Sequence, residues 1–175
     1  MLWERANACC FSGHRPDKLP CGYNLQSPAA LPLKTALKRE IDRAVADGID
    51  TFLCGMAQGV DTLAAEIILH MRDSGAPVRL VAALPCPHQD ARWPASQRAA
   101  YRQLLARIPA ELQFTICDSY TPYCMNGRNL WMVERASRLI AVFDGSAGGT
   151  ANTVRHAQEA RIDIIRIHPK TAERW

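Results

Sequence analysis

Six short apolar, β-prone runs recur along the chain, separated by five segments of helical period. The runs are Ala8–Ser12, Thr51–Cys54, Val78–Leu84, Leu112–Cys117, Leu139–Phe143 and Ile162–Ile167. Most are apolar without alternation, the pattern of strands buried on both faces. The first helical stripe is Leu33, Leu37, Ile41, Ala44 and Val45, ended near Gly48; the second is Val60, Leu63, Ala64, Ile67, Ile68 and Met71, ended at Gly75. The third runs from Gln97 to Ile108, and the last two carry Leu130, Val133 and Ala136, then Val154, Ala157 and Ala160. Alternation of this kind over a whole chain implies parallel strands joined by right-handed crossovers. The expected fold is an α/β, doubly wound, mainly parallel sheet with helices on both faces. The expected organisation is one domain over residues 1–175, since 175 residues suffice for one core and leave no room for two full-size ones.

Other classes drop out. No run approaches the roughly 20 apolar residues that span a bilayer, and the N-terminus carries Glu4 and Arg5 with no long apolar core behind them. The expectation is a cytoplasmic protein with no membrane partner. The cysteines number seven, with no CxxC spacing, and read as buried reduced thiols. Cys86 and His88 lack a second ligand pair at a suitable spacing, so no metal site is expected. The net charge of +4 is uneven: residues 1–90 hold 9 basic and 10 acidic side chains, and residues 91–175 hold 12 and 7. A basic half favours an anionic ligand, either a phosphate or a nucleic-acid backbone. A solvated Arg-rich surface has the same composition.

Ligands of open α/β sheets bind beyond the carboxyl ends of the strands, so the loops that follow the strands carry the functional signal. After the first strand comes Ser12-Gly13-His14-Arg15-Pro16. Gly13 allows close backbone approach, Ser12 offers a hydroxyl, and Arg15 offers a planar fork for phosphate. His14 can donate to an anion or act as acid or base. The bland alternative is a tight turn with a solvated arginine. After the second strand, Gly55 and Gly59 open a helix without the GxGxxG or P-loop spacing. A glycine turn into a helix start still presents free N–H groups to an anion. Asp61 then falls in the first turn, where it either complements the helix dipole or accepts from ribose hydroxyls.

The third loop, Asp144 to Thr150, is the strongest local phosphate signal. Gly148 and Gly149 let a phosphate reach backbone amides, Thr150 is a candidate helix cap, and Asn152 can add an amide. Asn126 is the expected N-cap of the fourth helix, which puts Arg128 and Asn129 in its first turn. Trp93 either stacks on a base or packs.

SGHRP after strand one, CGMAQGVD after strand two, and GRN followed by LIAVFDGSAGGTANTV together resemble the SLOG superfamily, which includes DprA and the LOG phosphoribohydrolases. Within it the chain looks most like the YpsA-like branch, a bacterial family of unknown function. The resemblance runs from about Ala8 to His168. It implies a Rossmann-like fold and a shared cleft for nucleotides or their derivatives. Gly55, Ala57, Gly59 and Asp61 match the glycine–aspartate motif of DprA-like proteins, Arg128 and Asn129 their arginine–asparagine pair, and Gly148, Gly149 and Thr150 the phosphate-binding loop of LOG enzymes. LOG enzymes carry a catalytic glutamate shortly after the glycine–threonine pair; here Ala151, Asn152, Thr153 and Val154 follow.

The leading expectation is therefore a nucleotide-binding sensor or regulator, with no separate cofactor. Its ligand-binding residues are Ser12, Gly13, His14, Arg15, Gly55, Gly59, Asp61, Arg128, Asn129, Gly148, Gly149 and Thr150. The second expectation is N-glycosidic cleavage of a nucleoside monophosphate, with acid–base chemistry from Asp61, Asp144 or His14. The third is single-stranded DNA binding in the manner of DprA, through Arg92, Arg98, Arg102 and Arg107 among others. Whether the chain turns over its ligand, and whether it forms a homo-oligomer, are left open by the sequence.

Overall fold

The structure is a computed structural model, and it describes residues Leu2–Trp175. Each expected strand forms. They are β1 (Ala8–Gly13), β2 (Thr51–Cys54), β3 (Arg79–Leu84), β4 (Gln113–Thr115), β5 (Arg138–Val142) and β6 (Asp163–Ile167). The helices are α1 (Leu31–Ala46), α2 (Val60–Asp73), α3 (Ala95–Ala106), α4 (Cys124–Glu134) and α5 (Gly149–Glu159). The six strands make one sheet in the order β4-β3-β2-β1-β5-β6, and every pairing is parallel. The chain first winds outward from β1 to β4, then returns to lay β5 on the other side of β1. The reversal falls between β1 and β5, the place where such sheets open a crevice.

The sheet is covered on both faces because the strands alternate. Cys9, Phe11, Phe52, Cys54, Leu80, Ala82, Ile140 and Val142 join the apolar stripes of α1, α2 and α3 in one core. Ala8, Cys10, Leu53, Val81, Ala83, Leu139 and Ala141 join Met132 and Val133 of α4 and Val154 and Ala157 of α5 in a second, smaller core. Phe11 and Phe52 stack at 5.9 Å in the first core. Trp3 packs edge-on against Phe114 and Trp131 in the second.

Two helix starts differ from the sequence reading. Helix α4 begins at Cys124 with Tyr123 before it, so Asn126 lies inside the helix and does not cap it, and Arg128 and Asn129 fall in its second turn, not its first. The turn Thr121–Cys124 begins the helix early, and no side chain caps it. Helix α5 begins at Gly149, and Thr150 is buried within its first turn, with no side-chain cap. Leu130, expected on the inner stripe of α4, is exposed; Arg128 and Asn129 take that face instead. The stretch Pro16–Pro32 holds two short 3-10 turns, Pro16–Lys18 and Pro28–Ala30, and buries Leu19. Trp93 packs edge-on against Tyr101 with ring centroids 5.1 Å apart. All seven cysteines are free, five of them buried. No helix among the described residues is long and apolar enough to cross a membrane.

Candidate functional site

The loops after β1, β2 and β5, the first two turns of α4 and the first turn of α5 surround one cleft of about 260 Å³ at the carboxyl edge of the sheet. Ser12, Gly13, His14, Arg15, Asp61, Arg128, Asn129, Gly148, Gly149 and Thr150 all line it. Gly55 and Gly59 do not line it; they shape the turn that carries Asp61. Asn152 is exposed and lies outside the lining. Lys18, Asp17, Met125 and Ser146 also face the cleft. Of these, Lys18 was hidden within a polar loop, and its one sequence signal was its place three residues after Arg15.

At the sheet reversal, β1 and β5 end side by side, and their next residues meet. The backbone N–H of His14 donates to the Val142 carbonyl at 3.0 Å. Its Nε2 lies 2.9 Å from Asp144 Oδ1, a pairing whose proton depends on the tautomer. Asp144 Oδ1 also accepts the Ser146 N–H at 3.0 Å, which folds the loop into a tight turn. Hydrogen bonds from the Ser146 hydroxyl and N–H, and then from His14, hold the Asp144 carboxyl well below the usual range. Lys18 Nζ donates to the Ser146 hydroxyl at 3.0 Å. Two loops far apart in sequence are thus tied across the cleft mouth.

The floor is a buried charge pair. Arg128 and Asp61 are 4% and 6% exposed, and Arg128 Nη1 lies 4.0 Å from Asp61 Oδ2. Asp61 Oδ2 accepts the Ala57 N–H at 3.1 Å, which closes the Gly55–Gly59 turn onto α2. Arg128 Nε donates to Asn129 Oδ1 at 2.7 Å, and Nη1 donates to the Gly55 carbonyl at 2.5 Å. The arginine–asparagine pair is therefore one unit, with the amide orienting the guanidinium. Burial pushes the Asp61 carboxyl up, against the opposing pull of Arg128 and the Ala57 N–H. Burial likewise pushes Arg128 down. A separation of 4.0 Å is too loose for either charge to cancel the other's loss of water.

Two glycines make this packing feasible. A Cβ on Gly55 would stand 1.7 Å from Arg128 Nη1, and one on Gly13 would stand 2.5 Å from the Val60 Cβ. Met56, between Gly55 and Ala57, takes a φ of 54° although it is not a glycine. Its N–H donates to the Cys54 thiol at 3.4 Å. Strain held this way clusters at functional turns.

Three cations, Arg15, Lys18 and Arg128, line the cleft against two carboxylates, Asp17 and Asp61. Arg15 and Lys18 are exposed at its rim, Arg128 lies at its floor, and the glycine-flanked start of α5 opens into it. Of the four arginines read as a nucleic-acid surface, Arg92 and Arg98 have no acidic partner within 4 Å among the described residues, and the other two are paired. Arg102 pairs with the buried Asp90 at 2.9 Å, and Arg107 with Asp73 at 2.7 Å. No group of three or more His, Cys, Asp or Glu side chains among the described residues is arranged to hold a metal ion.

The model of the YspA SLOG family (YpsA) matches residues 9–169. The uncharacterized SPbeta prophage-derived protein YoqJ of Bacillus subtilis (strain 168) is 25% identical over 158 residues, covering 83% of this chain and 92% of that protein. A UPF0398 protein of Bacillus thuringiensis (strain Al Hakam) is 23% identical over 157 residues, covering 90% and 85%. Among solved structures, DNA processing protein A (DprA) of Streptococcus pneumoniae superposes with a TM-score of 0.60 at 13% identity, over 93% of this chain and 50% of that one. DprA of Helicobacter pylori, described for its single-stranded DNA binding mode, superposes with a TM-score of 0.59 at 14% identity, over 94% and 66%. The chain thus spans between half and two thirds of the DprA proteins it superposes on, and at these identities the likeness is one of fold.

Proposed function

Because the chain belongs to the YspA SLOG family, we propose that its strand-end cleft binds a nucleotide or nucleotide derivative and that the protein acts as a sensor or regulator. The observation that carries this reading is the convergence of Arg15, Lys18, Arg128 and the Gly148–Thr150 helix start on one cleft. Free N–H groups at a helix N-terminus and guanidinium forks are the groups that recognise phosphate. Arg128 Nε and Nη1 are held by Asn129 and the Gly55 carbonyl, which leaves Nη2 for the ligand. Asp61 Oδ2 is engaged by Ala57, which leaves Oδ1 to accept a ribose hydroxyl.

Hydrolysis of the N-glycosidic bond is the second reading. It is favoured by the raised Asp61 carboxyl in the cleft and by the His14–Asp144 pair. Against it, no carboxylate follows Thr150 within the first turns of α5. Glu159 ends that helix, exposed and 3.7 Å from His156. Single-stranded DNA, which DprA of Helicobacter pylori binds, is the third reading: of its four candidate arginines, Arg102 and Arg107 are committed to Asp90 and Asp73, and Arg92 and Arg98 stay available to phosphates.

Calorimetric titration with ribose 5-phosphate, nucleoside monophosphates, ADP-ribose and a short single-stranded DNA tests these readings, with chromatography of the incubated ligand. The expected result is binding of a nucleotide that is recovered intact, with affinity reduced about tenfold or more in Arg15→Ala, as for a charged hydrogen bond. Recovery of free base and sugar phosphate would replace the sensor with an enzyme. Binding of DNA alone, or affinity unchanged in both Arg15→Ala and Lys18→Ala, would overturn the reading.

A further inference from the structure

A second cleft of about 210 Å³ is lined by Pro16, Gln58 and Gly59, chain neighbours of Arg15, Asp17 and Ala57 in the lining of the first. Its chemistry is the opposite of the first. No lysine or arginine lines it, and its one charged side chain, Glu66, is engaged by the Gln26 amide at 3.5 Å. Trp93 and Tyr101 form its aromatic side, with Tyr23 exposed at its rim. Gln58 and Gln97 face each other across it, the Gln58 amide nitrogen donating to the Gln97 carbonyl oxygen. Each primary amide offers two donors and an acceptor, so this pair retains an unused carbonyl and an unused NH₂ group.

We infer that this second cleft is a nucleobase subsite: it takes the base of the ligand whose phosphate occupies the first cleft. The inference rests on the nucleotide-binding reading for the phosphate. An aromatic face with amide groups at its edge suits a neutral planar heterocycle, through stacking and edge hydrogen bonds. It does not suit a phosphate, which needs donors in excess. The volume is below the roughly 300–1,000 Å³ of a pocket for a drug-sized ligand, and matches a ring system rather than a whole nucleotide. The first cleft, conversely, has no exposed aromatic face: Phe11, in its lining, is fully buried in the core.

The two clefts are joined by a hydrogen-bonded chain. Gln89 Nε2 contacts the Tyr101 hydroxyl at 3.3 Å and the Met56 and Gly55 carbonyls at 3.3 and 3.4 Å. The Gly55 carbonyl also accepts from Arg128. A base stacked on the half-buried Trp93, which packs edge-on against Tyr101, and a phosphate at Arg128 therefore bear on the same turn, Gly55–Ala57.

The test compares AMP, GMP, CMP and UMP with ribose 5-phosphate and the four free nucleosides, on the wild-type chain, Trp93→Leu and Gln97→Met. Gln97→Met removes the amide at near-constant volume and leaves the Trp93–Tyr101 packing in place. Expected is a best nucleoside monophosphate about tenfold tighter than ribose 5-phosphate, within the gain from stacking one base on an aromatic side chain. That advantage should collapse in both variants, while ribose 5-phosphate affinity stays unchanged. Equal affinity for ribose 5-phosphate and every nucleotide, or an advantage that survives both variants, overturns the subsite and leaves the phosphate cleft standing. If ribose 5-phosphate does not bind at all, it is the nucleotide-binding reading that fails. The second cleft is then judged by the Trp93 indole N–H resonance, assigned by its loss in Trp93→Leu. A shift on adding a nucleoside, absent in Gln97→Met, supports a base site. No shift, or an equal shift with indole, overturns it in favour of an apolar occupant.

Discussion

Arg128 reaches across 73 residues of chain to donate from Nη1 to the carbonyl oxygen of Gly55 at 2.5 Å. That bond fixes the second turn of α4 to the turn between β2 and α2, and it exists because Gly55 has no side chain. A Cβ there would stand 1.7 Å from the guanidinium nitrogen. Gly55→Ala should keep the far-ultraviolet dichroism of an α/β fold. It should lose about 1–3 kcal/mol of stability, as overpacking does, and weaken nucleotide binding with it. Urea denaturation and calorimetry check both. An alanine variant that binds normally would show that the guanidinium is free to move.

Arg128→Lys separates charge from shape. A lysine keeps a cation near Asp61 but cannot reproduce a planar fork held at Nε by Asn129 and at Nη1 by Gly55. Stability should fall by about 1–2 kcal/mol for the lost hydrogen bonds. Affinity for the phosphate ligand should fall about tenfold. Equal affinity in the lysine variant would assign Arg128 to the scaffold alone.

Asp61 in the cleft and Asp144 behind its mouth should give opposite pH signatures. Asp61 is raised by burial, so the folded protein holds its proton more tightly than the unfolded chain. Its contribution is favourable below its ordinary value of 3.8 and is lost as pH rises through the raised value. Asp144 is lowered, chiefly by Ser146; its contribution is present above 3.8 and is lost as pH falls below it. Melting temperatures from about pH 2 to 8 should show Asp61→Asn flattening the decline above 3.8. Asp144→Asn should flatten the decline on the acid side. The reverse assignment would contradict the burial of Asp61.

Glu40 of α1 is 1% exposed and accepts from Arg39 at 3.1 Å and Arg43 at 3.0 Å, with Arg174 as a third donor. Burial pushes its carboxyl up, but the bonds from Arg174 and Arg39 prevail and hold it below 4.5. Its stabilisation is thus present above that value and fades as pH falls. Glu40→Gln should cost about 1–2 kcal/mol at neutral pH, discounted because the arginines are half exposed to water. The deficit relative to the wild-type chain should shrink in acid. Urea denaturation at the two pH values measures it.

The strands were legible because parallel strands buried on both faces need unbroken apolar runs, and β2, Thr51–Cys54, falls where its run does. Helix starts were less legible. Thr150 has the chemistry of a cap, yet Gly148 makes the turn and Thr150 is buried one residue inside the helix. Asn126 failed as a cap because α4 starts two residues earlier, at Cys124. The cleft residues were legible as types at strand ends, since a parallel sheet puts all those ends on one edge. Their pairings were not. The His14–Asp144 contact spans 130 residues, and nothing local in either loop names the other. The Gln58–Gln97 pair of the second cleft had no signal, because one glutamine in a turn and another on a helix 39 residues away carry nothing that names each other.

The sheet's two unequal cores give the cleft an uneven rigidity. Its β1–β2 side, with Asp61, rests on the larger core built by α1, α2 and α3. Its other side, with Arg128 and the start of α5, rests on the smaller one. Segments with less buried apolar contact open at lower free energy and exchange their amide hydrogens sooner. The amides of α4 and α5 should therefore exchange ahead of those of α2, and a bound ligand should slow exchange most in the two helices that the smaller core holds.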